Sequence, residues 1–84
     1  MQTIYLDGRY YANGAAVHAA LKLLLGLPDY YGANADALFD CLSERREPVN
    51  LFVRSLGEGE TADTLRKVMR VVEDLGGEVD TAEA

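Results

Sequence analysis

The sequence predicts an α/β fold, a small three-stranded parallel sheet packed by about three helices, within a single domain covering residues 1–84. Three observations predict it. Two short runs rich in β-branched and aromatic residues, QTIYL and VNLFVRS, are separated by stretches whose apolar residues recur every three or four positions. Strands alternating with helices favour parallel pairing through right-handed crossovers, with the helices covering the sheet. A chain of 84 residues, finally, cannot be divided into two cores large enough to hold without metals or disulfides. Strand order is left open by this reasoning.

QTIYL, residues 2–6, reads as the first strand, and the DGRYY after it carries an Asp-Gly turn signal. Asn13 or Gly14 begins the first helix, whose apolar stripe is Val17, Leu21, Leu24 and Leu25. Gly26 and Pro28 end it, because proline has no N–H and biases Leu27 away from helical angles. Asn34 is then placed as an N-cap, with Asp36 near the positive end of a second helix that runs to about Ser43. At about 100° per residue, Ala35, Leu38, Cys41 and Leu42 share the inner face, Asp36, Asp40 and Ser43 point outward, and Phe39 lies on the flank.

Beyond the polar SERREP, VNLFVRS at residues 49–55 is the second strand and LGEGE a loop. A third helix follows over residues 61–75, with Leu65, Val68, Met69 and Val72 as its buried stripe and Gly76 and Gly77 as its stop. The tail GEVDTAEA adds a last short strand around Val79.

Composition narrows the function. With 49% apolar and 26% charged residues the chain is globular rather than a disordered acidic segment. The formal charge of −6, with eight scattered basic residues, argues against direct nucleic-acid binding and favours a basic partner. No apolar run has the length of a membrane span, and MQTIYLDGRYY lacks the basic start and apolar stretch of a secretory signal. A single cysteine, Cys41, and the lack of a Cys/His cluster fit a reducing compartment. The expectation is a cytoplasmic protein with no membrane association, cofactor or metal.

Few residues invite catalysis. Asp36 and Asp40 stand four apart, roughly 5–6 Å between Cβ atoms. Dividing acid and base roles requires one carboxyl in an apolar pocket, which an outward helix face does not supply. The lone His18 lies beside the apolar stripe near Lys22, with no Ser or Cys in a triad-like context. Cys41 belongs to an apolar face, where a free cysteine behaves as a small hydrophobe. GEGE has neither Walker spacing nor a lysine. Tyr30 and Tyr31 suit an interface better, with one of the two packing inward, and Gly32 permits a tight or left-handed turn that fixes their direction.

The stretch LPDYYGANADALFDCL, residues 27–42, closely resembles the central motif of the barstar-like family, inhibitors of barnase-type ribonucleases. Leu27, Pro28, Tyr30, Tyr31, Gly32, Asn34, Asp36, Ala37, Leu38, Asp40, Cys41 and Leu42 all stand at the family's spacing, and the order of elements on both sides fits. The resemblance implies a parallel sheet packed by helices, no catalytic activity, and a helix face that plugs a ribonuclease active site with carboxylates where RNA phosphates would bind. Asp40 would be the central anion, Asp36 a second charge pair, Tyr30 the aromatic contact and Phe39 the apolar neighbour, with Gly32, Asn34 and Ser43 completing the partner-binding set. The partner implied is a small basic ribonuclease or a ribonuclease toxin, bound one to one, in a bacterial immunity role.

Departures from the family pattern point to a different partner as the alternative. Phe39 stands where the family has tryptophan, Arg45 where it has an aromatic, and Val71 and Leu75 align with acids on the last helix. Glu73 and Asp74 take over only if the alignment slips. A cationic Arg45 would be unfavourable beside a basic cleft, so the alternative is a barstar-like binding or immunity module for a non-ribonuclease partner.

Overall fold

The computed structural model describes residues 2–83. In chain order the elements are β1 (Thr3–Asp7), α1 (Gly14–Leu25), α2 (Ala35–Ser43), β2 (Asn50–Arg54), α3 (Glu60–Asp74) and β3 (Val79–Ala82). The Asp-Gly signal after β1 becomes a single 3-10 turn over Gly8–Tyr10, started by the Asp7 carboxylate accepting from the Arg9 N–H at 3.0 Å. The strands form one parallel sheet in the order β1-β2-β3, with Tyr5 opposite Phe52 and Phe52 opposite Asp80. The α/β class and the three parallel strands agree with the expectation, and element boundaries differ from it by about one residue.

Alternation along the strands decides where the core lies. Ile4 and Leu6 on β1 and Leu51 and Val53 on β2 are buried, whereas Thr3, Tyr5, Arg54 and Asp80 are exposed. One face of the sheet therefore meets the helices, through Val17, Leu21 and Leu25 of α1, Leu38 and Leu42 of α2, and Leu65, Val68 and Val72 of α3. The other face stays open, its centre occupied by the Tyr5–Phe52 ring pair at 5.9 Å. Parallel sheets are ordinarily covered on both faces, so this is a thin, two-layered fold.

The corner from α3 into β3 requires glycine. The Gly77 N–H donates to the Val72 carbonyl at 2.9 Å, and a Cβ on Gly77 would lie 1.9 Å from the Val49 carbonyl oxygen and 2.7 Å from Val72 Cγ1. That close approach delivers the chain to β2 so that β3 can pair.

Several core expectations need correction. Leu24 is 46% exposed, because the buried stripe of α1 runs through Val17, Leu21 and Leu25 and the next residue round falls outside it. Met69 is only half-buried, while Val71 is buried. Cys41 and Ala35 are half-buried at the edge of the α2 inner face rather than within it. His18, expected beside the stripe as a packing or half-exposed residue, does pack inward, at 7% exposure.

Candidate functional site

α2 forms where it does because Asn34 caps it. Its Oδ1 accepts from the Ala37 N–H at 2.8 Å and its Nδ2 donates to the Gly32 carbonyl at 3.3 Å. One side chain thus satisfies a free helical donor and ties the cap to the preceding loop. Asp36 in the first turn complements the positive end of the helix. At the other end the Ser43 hydroxyl donates to the Asp40 carbonyl at 2.9 Å, closing the last turn.

The face so fixed is open to solvent. Asp36, Asp40 and Ser43 are exposed and Phe39 is 39% exposed. Among the described residues neither Asp36 nor Asp40 has a side-chain hydrogen bond or an ion-pair partner. Two carboxylates in water, with no wall around them, have none of the desolvation that separates an acid from a base in a catalytic pair. What they offer is negative charge held at fixed spacing.

The loop before α2 separates the two tyrosines. The Tyr31 N–H donates to the Pro28 carbonyl at 3.0 Å, which puts Asp29 and Tyr30 at the tip of the turn, and Tyr30 is 86% exposed. Tyr31 turns inward to meet His18 of α1, its hydroxyl 2.6 Å from Nδ1. Burial holds the His18 ring below its usual pKa and pushes the Tyr31 hydroxyl up to about 12, so both are neutral near pH 7. Asp29 makes a 3.5 Å ion pair with Lys22, a second tie to α1.

Gly32 behaves differently from the expectation. The left-handed residue is Ala33, at φ 54°, and what Gly32 supplies is room, since a Cβ there would stand 3.3 Å from Ala37 Cβ. On the other flank of α2 an open groove of about 300 Å³ runs beside Tyr30 and Cys41, where Arg45 reaches the Leu25 carbonyl at 3.4 Å. Sequence reasoning missed two features here: the His18–Tyr31 bond and this groove. The position of His18 between Val17 and Leu21 was a signal for the first; the groove has none, because it depends on how the end of α1 meets α2.

Of the residues expected to bind a partner, Tyr30, Asp36, Phe39, Asp40 and Ser43 are exposed in and around α2, while Asn34 and Gly32 shape the entry to the helix. Val71 is buried at 7% exposure and Leu75 packs against the core, so neither adds charge to a surface; Glu73 and Asp74 are exposed. Among the described residues no three His, Cys, Asp or Glu side chains converge to hold a metal ion, and no helix is long and apolar enough to cross a membrane.

The family profile described as Barstar (barnase inhibitor) matches residues 1–83. The chain belongs to the barstar family. A curated relative in Bacillus subtilis (strain 168), named as a candidate ribonuclease inhibitor, YrdF, is 51% identical over 43 residues. That alignment covers 51% of this chain and 47% of the relative, so it spans about half the length of each. Membership of the barstar family accords with the α/β fold of three parallel strands and three helices described above.

Proposed function

We propose that this barstar-family protein is a non-enzymatic, one-to-one inhibitor of a small basic ribonuclease of the barnase type or of a ribonuclease toxin, acting in the bacterial cytoplasm as an immunity protein. The observation that carries the reading is the pair of exposed, unpartnered carboxylates Asp36 and Asp40 on a helix fixed at its start by Asn34.

A ribonuclease cleft must present cationic groups to bind phosphate. An acidic face already held in shape pairs with those groups by charge-assisted hydrogen bonds and excludes RNA by bulk. Asp40, midway along the helix, is the central anion and Asp36 the second. Phe39 and Tyr30 supply apolar contact on either side, and little entropy is lost because the helix and the turn are ordered before binding. The chain itself, at −6, is repelled by RNA and attracted to the enzyme.

The test is RNA cleavage by barnase-type ribonucleases titrated with the wild-type protein, Asp36→Ala and Asp40→Ala. Stoichiometric inhibition, weakened most by Asp40→Ala and next by Asp36→Ala, is the expected result. Equal inhibition by all three would reject the face. A second reading, a partner that is not a ribonuclease, is favoured by the burial of Val71 and by Arg45 beside Tyr30. Inhibition of no ribonuclease, with another protein captured through Asp40, would support it.

A further inference from the structure

The outward surface of α2 is not uniformly acidic. Asp36, Asp40 and Glu44 follow one another at four-residue spacing and are all exposed, which makes a row of carboxylates one helical turn apart. Phe39 bounds this row on one flank. The groove of about 300 Å³ bounds the other, lined by Leu27, Pro28, Tyr30, Cys41, Glu44 and Arg45 among others.

Among the described residues Arg45 is the one cation that lines this groove. Its backbone N–H donates to the Leu42 carbonyl at 3.1 Å, continuing the last turn of α2, and its guanidinium reaches across to the Leu25 carbonyl at 3.4 Å. A cation at the carbonyl end of α1 is favourably placed, so the side chain is drawn over the groove rather than out along the helix. Among the described residues it has no ion-pair partner, whereas nearby Lys22 is taken by Asp29 at 3.5 Å. The exposed surface thus has a row of negative charge that reaches the edge of Tyr30's groove at Glu44 and, among the described residues, one positive charge, Arg45, on the groove itself.

A partner that is basic throughout would meet Arg45 with like charge, which disfavours the complex and gives discrimination by repulsion. A partner with cations facing Asp36, Asp40 and Glu44 and one carboxylate facing Arg45 would satisfy every group. We propose that Arg45 is the specificity-determining residue of this face, and that it admits ribonucleases whose basic cleft carries an aspartate or glutamate at its rim. The inference rests on the reading of the α2 face as a ribonuclease-binding surface.

The experiment uses barnase and a set of its variants, in each of which one lysine or arginine at the rim of the cleft is replaced by glutamate. Each is titrated with the wild-type protein, Arg45→Glu, Arg45→Lys and Asp40→Ala, reading the inhibition constant for RNA cleavage. Against unmodified barnase, Arg45→Glu is expected to inhibit about three- to tenfold more tightly than wild type, since an exposed pair contributes up to about 1 kcal/mol and its sign is being reversed. Against at least one rim-glutamate enzyme the order reverses, and Arg45→Lys behaves as wild type throughout. If Arg45→Glu is unstable, Arg45→Gln takes its place and the reversal is read between wild type and that variant. Constants within twofold for wild type and every Arg45 variant on all enzymes, with Asp40→Ala still strongly weakened, would overturn the role of Arg45 and leave the inhibitor reading intact. No inhibition by wild type, or none lost in Asp40→Ala, would remove both.

Discussion

Replacing Tyr31 by phenylalanine isolates one hydrogen bond and little else. The ring keeps its place beside His18, 5.8 Å between centroids, and only the hydroxyl 2.6 Å from Nδ1 is lost. His18 is 7% exposed, so water does not readily take the vacated position, and a buried ring nitrogen is left without its partner. The cost of such an orphaned group is about 1–3 kcal/mol. At about 0.05–0.15 kcal/mol per residue, a folded chain of 84 residues has a stability of about 4–12 kcal/mol, so the loss is a large fraction of it. With a urea slope of about 1 kcal/mol/M for a small domain, the unfolding midpoint of Tyr31→Phe falls by about 1–3 M at unchanged slope. His18→Phe in the Tyr31→Phe background removes the orphan as well as its partner, and part of the loss returns. Inhibition of ribonuclease by Tyr31→Phe weakens less than by Asp40→Ala, because Tyr30 keeps its turn through the Pro28 carbonyl. A midpoint unchanged within the error of the fit would refute the argument that this bond anchors the loop.

Acidification tests the same pair: the unfolded His18 titrates at its ordinary 6.5 and the folded one below that, so the unfolded chain binds more protons in between. Stability is full above about pH 6.5 and declines as the pH falls from there towards the lowered folded value, a slope that urea titrations should find flattened in His18→Gln. Asp7 acts at lower pH, because the Arg9 guanidinium and N–H hold its carboxyl at about 2 in place of 3.8; its contribution is present above 3.8 and disappears as the pH falls through about 2, which Asp7→Asn abolishes in acid-denaturation curves. Asn34→Ala removes the α2 cap and lowers stability by about 1 kcal/mol in chemical denaturation, with a weaker inhibition constant as the helix start frays. Gly77→Ala forces a Cβ into the Val49 carbonyl and unpairs β3, so amide exchange at Leu51 and Val53 accelerates before the rest of the sheet.

Much of this was legible in the chain, and the failures share a cause. α2 could be read closely because its determinants are local: a capping asparagine, an acid in the first turn, and apolar residues at helical spacing. β3 was harder, since Val79–Ala82 is half-exposed and polar and owes its existence to pairing with β2 and to the Gly77 corner. Leu24 and Met69 were misplaced because periodicity gives the direction of a stripe but not its width, which the neighbouring helices set. Gly32 was read as permitting a tight or left-handed turn, and the left-handed residue is its neighbour Ala33, since sequence marks where flexibility is allowed, not where it is used. The acids of α2 were legible as an outward face, but the course of Arg45 back to Leu25 depends on a tertiary junction that no local pattern records.

The uncovered side of the sheet gives the molecule a handle. Tyr5, Phe52 and Asp80 face away from the helix layer and touch none of the residues around α2 that the inhibitor reading requires. A fluorophore or a surface tether introduced at Asp80 would sit behind the core, leaving Asp36 and Asp40 unobstructed, whereas chemistry at the native Cys41 would obstruct the groove beside Tyr30. On the proposed inhibitor reading, a sensor that immobilises this protein should be attached from behind.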